Sequence, residues 1–319
     1  MTDVFTFLPI LAIVFLANLG VQSRAVGHLT LAILGAGNAF VLLAGLILLN
    51  PGTLASLESL MPGVPLDATA RPAGICLAIT AVGCLLLLIP AVLRRVASRF
   101  GMWPAGPVDA TALILCLDVA GLSIAQLVFL PYIALLVDEP LVTPLRLWIQ
   151  GTSFVAVGFL GVGFPVRRGL VCAMKRLGLT WPTPRHLLWT GAGVAAALLL
   201  NVGLQAAWRG FAPEDFAAFE AYLETFFGDF EPTAGLLAVG LSAGVGEEIL
   251  FRGALQPRMG LAATTLVFGV IHSYYGLTPA WLWIFVLGLG LGLLRKRANT
   301  TSCILFHAAY NGASFLVGT

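Results

Sequence analysis

Long apolar runs, separated by short polar stretches, make up nearly the whole chain. An α-helix needs about 20 residues to cross the hydrocarbon of a bilayer. A window of that length picks out ten predicted spans, at 4–22, 28–50, 73–93, 109–137, 147–165, 187–208, 234–256, 261–277, 279–294 and 301–317. The eighth and ninth are short, and Pro131 is expected to kink the fourth because proline breaks the helical hydrogen-bond ladder. Between the sixth and seventh spans the pattern changes. In "RGFAPEDFAAFEAYLETFFGDFEP", from Arg209 to Pro232, Phe216, Phe219, Tyr222, Leu223, Phe226 and Phe227 recur at helical spacing opposite Asp215, Glu220 and Glu224. That spacing predicts an amphipathic helix at the membrane interface, read first as a connector packed on the bundle and second as a gating lid.

Composition agrees with the pattern: 59% of the 319 residues are hydrophobic and 10% charged, against about 25% charged in soluble domains. The predicted fold class is therefore an all-α polytopic transmembrane helix bundle of about ten spans, with the amphipathic interfacial helix before the seventh. The first run, Val4 to Val21, reads as a span and not as a cleaved signal, since Asp3 and no basic residue precedes it and no small-residue cleavage site follows. The lipid bilayer is an expected partner, and a nucleic acid is not.

The distribution of charge orients the stack. With the N-terminus outside, the cytoplasmic segments carry Arg24, Arg94, Arg95, Arg99, Arg167, Arg168, Lys175, Arg176, Arg185, Arg258, Arg295, Lys296 and Arg297, which is 13 of the 17 basic residues. The opposite loops keep Arg71, Arg146 and Arg209 together with Glu58, Asp67, Asp138, Glu139, Glu214, Asp215, Glu220, Glu224, Asp229 and Glu231. Both termini are then expected outside, in what is expected to be a bacterial inner membrane. The best internal boundary is "MKRLGLTWPTPRH", which divides an N-terminal membrane domain of about five spans (1–176) from a C-terminal core (177–319). The chain shows neither internal repeats nor low-complexity tracts.

Against this background, polar residues inside spans demand a reason. Asp118 and Gln126 are expected to make interhelical hydrogen bonds, Asp109 to cap a helix N-terminus, and His28 and His186 to sit at span edges. The five cysteines, Cys76, Cys84, Cys116, Cys172 and Cys303, have no metal-ligand spacing and read as small buried hydrophobes. "GLGLGL" at 288–293 lies within an apolar helix with no strand before it, so Gly288 and Gly292 read as a small-residue helix contact instead of a phosphate loop.

"GVGEEILFRGAL", residues 244–255, is the strongest signal. Adjacent Glu247 and Glu248 point about 100° apart on a helix, whereas Glu248 and Arg252, four apart, share a face. Glu248 thus has a partner, and Glu247 is expected to point elsewhere, toward His272 in "FGVIH" and His307 in "HAAYN", where Asn311 shares the face of His307. Carboxylate, two imidazoles and a carboxamide are what water-based amide hydrolysis needs: a base for water, a group to orient it, and donors for an oxyanion. Two other readings stay open: a divalent metal held by Glu247, His272 and His307, with no His-Glu-x-x-His to favour it, and a non-catalytic immunity or transporter-like protein using the cluster for binding.

"EEILFR" (Glu247, Glu248, Arg252), "FGVIH" (Phe268, His272) and "HAAYN" (His307, Asn311) resemble the three signature motifs of the CAAX protease and bacteriocin-processing family of glutamate-dependent intramembrane endopeptidases, which includes the type II CAAX prenyl endopeptidases. The resemblance spans roughly residues 180–317, with a lead-in at Leu177 to Pro182. It implies that Glu247 and His272 activate the attacking water, that His307 and Asn311 form the oxyanion pocket, and that Glu248, Arg252 and Phe268 support the geometry. It implies no cofactor and no metal, and a membrane-embedded or membrane-anchored protein or peptide as substrate.

Overall fold

A computed structural model describes residues 2–61, 63–102, 105–132, 140–227 and 230–317. Asp138, Glu139 and Asp229 of the acidic loops lie outside the described residues. Among those described every regular element is helical: α1 (Thr2–Gly20), α2 (Arg24–Ile47), α3 (Pro51–Glu58), α4 (Leu66–Leu87), α5 (Pro90–Arg99), α6 (Pro107–Ala125), α7 (Pro144–Gly161), α8 (Leu170–Leu177), α9 (Pro184–Phe211), α10 (Pro213–Phe227), α11 (232–255), α12 (Gln256–Ile271), α13 (Pro279–Arg297) and α14 (Thr300–Val317).

By length and apolar composition, six helical stretches of the described residues can cross a membrane: Arg24–Ile47, Leu66–Leu87, Pro107–Tyr132, Pro184–Phe211, Thr233–Ile271 and Pro279–Arg297. This is an integral membrane protein, with helices at each of the other expected segments and without the full expected count of ten. The seventh and eighth expected spans form one helical run of 39 residues. It is interrupted at Gly260, whose φ of 80° lies in the left-handed region that glycine enters at little cost. The third span stops at Leu87 instead of running to 93, because Pro90 starts a new helix, where its missing N–H costs nothing. The fourth ends as an α-helix at Ala125 and tightens into a 3₁₀ stretch, Gln126–Tyr132, that contains Pro131.

The chain forms two compact units. One contains residues 12–138 and 266–281. In it α2, α4 and α6 approach closely through small residues: a Cβ on Gly45 would lie 2.8 Å from the carbonyl oxygen of Gly74, and one on Gly121 would collide with Thr80. Asp118 bridges these helices by accepting hydrogen bonds from Asn38 Nδ2 and Cys84 Sγ, each at 3.2 Å. Gln126 donates to Ser273 Oγ at 2.9 Å, so both polar residues do join helices as expected. Asp109 is a correction: it is the third residue of α6, not its cap, and its carboxylate accepts from the backbone N–H of Gly106, which is the cap.

The other unit contains residues 1–11, 139–265 and 282–319, so α7 and α8 pack with the C-terminal helices although they precede residue 177. The amphipathic segment is helix α10. It buries Phe216 and Phe226, and Trp208 at the end of α9 packs on Phe216 and Phe219 at ring-centroid distances of 5.3 and 5.0 Å. In the same unit α14 packs Cys303, Phe306 and Tyr310 with Ala197, Leu287 and Leu291 of α9 and α13. Gly292 receives the amide of Gln256, whose Nε2 donates to its carbonyl at 2.8 Å, in line with the small-residue contact expected there.

Candidate active site

Three glycines in and beside the "GVGEE" stretch, Gly240, Gly244 and Gly246, let two helices come within backbone contact of α11. A Cβ on Gly244 would lie 2.9 Å from the backbone nitrogen of Ala308, and one on Gly240 3.3 Å from its carbonyl oxygen. On another face a Cβ on Gly246 would lie 2.6 Å from both Cα and O of Gly151. α14 and α7 are thus held against α11, and Ser242 ties α7 further by donating to the Leu147 carbonyl at 2.6 Å. Any side chain at Gly244 would move the helix that carries His307.

α11 is not a uniform α-helix. It alternates Pro232–Gly235 and Gly244–Glu248, which are α-helical, with two π-helical stretches, Leu236–Ala243 and Ile249–Leu255. A π turn shifts the backbone partners by one residue and leaves carbonyls open to side chains, a geometry found often at functional sites. Two of these carbonyls are used: Asn311 Nδ2 donates to Val239 O at 3.2 Å, and Arg295 Nε donates to Arg252 O at 3.1 Å.

Glu248 and Arg252 are fully buried, and Glu247 and His307 nearly so, at 5% and 8% exposure. One carboxylate oxygen of Glu248 lies 3.3 Å from Arg252 Nε, which is the pair expected from helix spacing. The other lies 2.9 Å from His307 Nδ1. His307, expected toward Glu247, stands within Coulombic range of that carboxylate and also bonds Glu248 directly. The reason is the glycine contact, which sets α14 so that its His307 reaches the carboxylate already held by Arg252. A carboxylate can only accept, so His307 Nδ1 carries the proton in this bond and Nε2 is turned away from it.

Phe268 and His272 belong to the other unit. His272 ends the last turn of α12, 9% exposed, its backbone N–H donating to Gly269 O at 3.1 Å. Its Nδ1 lies 2.7 Å from the Phe268 carbonyl oxygen, and its ring lies 4.8 Å from the Phe268 ring. A carbonyl also only accepts, so the proton is on Nδ1 and, in the neutral ring, Nε2 keeps its lone pair. The Phe268 backbone carbonyl, four residues back, thus fixes the Nδ1–H tautomer of the neutral ring. The structure brings Glu247, Glu248, Arg252 and His307 together within one unit, with Asn311 one turn along α14. Sequence reading missed the Glu248–His307 bond and the roles of Gly240, Gly244 and Gly246, although the Gly-x-Gly pattern ahead of the glutamates was the available signal.

Compared with known proteins, residues 229–313 match the model of the family described as type II CAAX prenyl endopeptidase Rce1-like. The match is narrower than the roughly 180–317 over which the motifs and their lead-in suggested a resemblance, and it contains all three signature motifs. No curated protein and no solved structure is matched by the chain.

Proposed function

Starting from a membrane-integral chain that carries an Rce1-like protease-family domain at residues 229–313, we propose that it is a glutamic-type intramembrane endopeptidase. It hydrolyses a peptide bond in a membrane-anchored or lipidated protein. The observation that carries this reading is the buried chain Arg252–Glu248–His307, with a second buried carboxylate, Glu247, next to it. A buried carboxylate held by an arginine on one side makes a ready counter-charge for an imidazolium on the other. As an imidazolium, His307 presents Nε2–H as a donor, which suits an oxyanion.

Glu247 is the base. It takes a proton from water as the water oxygen attacks the scissile carbonyl carbon, and the developing oxyanion accepts hydrogen bonds from His307 Nε2 and from the Asn311 amide. Asn311 has two N–H groups, and the bond to Val239 engages one of them. Collapse of the tetrahedral intermediate restores the carbonyl and breaks the C–N bond, and the leaving amine takes up the proton held by Glu247. The resemblance implies a water-activating role for His272, and the Nδ1–H tautomer fixed by the Phe268 carbonyl supports that role by leaving Nε2 to accept.

The test uses the protein in phospholipid vesicles with a farnesylated peptide ending in a CAAX sequence and with a non-prenylated version. Glu247→Gln is expected to reduce turnover by at least about 100-fold, the scale of a lost general base, while the unfolding temperature stays at the wild-type value. Turnover that survives Glu247→Gln would overturn the assignment. Turnover is also expected to survive exhaustive chelation, with bound metal measured by mass spectrometry. Loss restored by one equivalent of zinc would favour a metal held by Glu247, His272 and His307.

A further inference from the structure

Away from the glutamates, the same unit gathers arginines around α8. Ala173 and Leu177 are fully buried in a cluster with Val162, Ile249 and Ala254. Four half-buried guanidinium groups surround this plug, each brought by a different segment. Arg168 folds back from the loop before α8 to donate to the Val162 carbonyl. Arg176 adjoins Leu177, and Arg258 lies one turn beyond Ala254. Arg295, at the end of α13, bonds the Arg252 carbonyl and lies over Gly178, where a Cβ would meet its Nη2 at 2.5 Å. The bonds of Arg168 and Arg295 go to carbonyl dipoles and neutralise no charge. Burial, and then the charges of Arg258, Arg168 and Arg295, weaken the hold of Arg176 on its proton.

The outer surface beside this cluster is apolar. Val171 is 64% exposed, Leu170 and Met174 are also exposed, and Trp181, just after α8, is 94% exposed. Leucine, methionine and tryptophan on one side of a short basic helix are the composition of a segment at headgroup depth. α13, apolar and long enough to cross the membrane, has Arg295 in its last turn and ends at Arg297, which puts the cluster at the end of a span.

We propose that Arg168, Arg176, Arg258 and Arg295 form a binding site for the phosphate of an anionic phospholipid, whose acyl chains lie against Leu170, Val171, Met174 and Trp181. Guanidinium groups match phosphate oxygens two by two, and an anion among four of them offsets the repulsion that Arg258, Arg168 and Arg295 exert on Arg176. Because Arg295 also holds the Arg252 carbonyl, a lipid seated here braces the helix that carries Glu248.

The test compares palmitoyl-oleoyl phosphatidylglycerol, the matching phosphatidylcholine and inorganic phosphate added to the detergent-purified protein. Retained lipid is read by native mass spectrometry and unfolding temperature by fluorescence. Phosphatidylglycerol is expected to be retained and to raise the unfolding temperature, and Arg176→Gln and Arg258→Gln each to weaken its binding about five-fold. Arg94→Gln with Arg95→Gln, exposed arginines on α5, is expected to leave binding unchanged. Equal effects of phosphatidylcholine or of inorganic phosphate, or an equal loss in the α5 variant, would overturn the proposal. If the cluster variants do not fold, the wild type and Trp181→Phe decide. Brominated phosphatidylglycerol should quench the Trp181 contribution more than brominated phosphatidylcholine does, and equal quenching rejects the site.

Discussion

Glu248 stands between Arg252 and His307 with no exposure to solvent, so its charge matters first to stability. Glu248→Gln leaves Arg252 buried without its counter-charge and is expected to cost about 3–5 kcal/mol, read as a lower unfolding temperature in detergent. Adding Arg252→Gln should recover much of that loss, since His307 can then stay neutral and no lone charge remains. Glu247→Gln keeps size and hydrogen bonding, so its expected signature is lost turnover in a protein of wild-type stability. Should Glu248→Gln abolish turnover while unfolding at the wild-type temperature, the base is Glu248 and the roles exchange. Helix spacing made the Glu248–Arg252 pair legible in the sequence. The His307 bond was not, because it joins residues 59 apart, and local periodicity carries no information on distant neighbours.

Among the elements, α11 decides the site because it is the helix against which α7 and α14 are set. Gly244→Val forces a side chain into the backbone of Ala308, which is expected to cost about 1–3 kcal/mol and to separate His307 from Glu248. Gly290→Ala, on a helix position with open space around it, serves as the control and should stay within about 0.5 kcal/mol of wild type. If Gly244→Val keeps both stability and turnover, the close approach is not what positions His307. The start of α11 offers a pH test outside the membrane. Glu231 accepts the backbone N–H of Ala234 at 2.7 Å, and the backbone bonds from Ala234 and Thr233 hold its carboxyl below the ordinary range. A depressed folded pKa means that this cap contributes fully above the ordinary carboxylate range and is lost as pH falls through the folded value. Hydrogen exchange at the Ala234 amide, corrected for its intrinsic pH dependence, should therefore lose protection only at strongly acidic pH, and Glu231→Ala should remove that step.

For the whole molecule the prediction is one of orientation. Basic-loop asymmetry predicts that the ends at Arg95, Lys175 and Lys296 lie in the cytoplasm and α10 outside. Single cysteines near those three positions in a cysteine-free variant should resist an impermeant thiol reagent in intact cells, and one near Glu220 should react. Labelling at Lys296 from outside would invert the last four helices and, with them, the side from which a substrate reaches Glu247.

What the sequence determined by itself is whatever depends on solvent preference and local spacing. The all-helical membrane class follows from apolar runs too long for anything else, and the Glu248–Arg252 pair and the faces of α10 follow from helical periodicity. Matching three short motifs against a known family added the candidate catalytic residues, which composition alone would not have singled out. Only the tertiary structure decided the rest. The π stretches in α11 exist because α14 and α13 supply Asn311 and Arg295 for the displaced carbonyls, the Glu248–His307 bond exists because glycines let two backbones touch, and the arginine cluster around α8 is assembled from four segments. Each of these depends on the free energy of bringing distant parts of the chain together, which no window along the sequence contains.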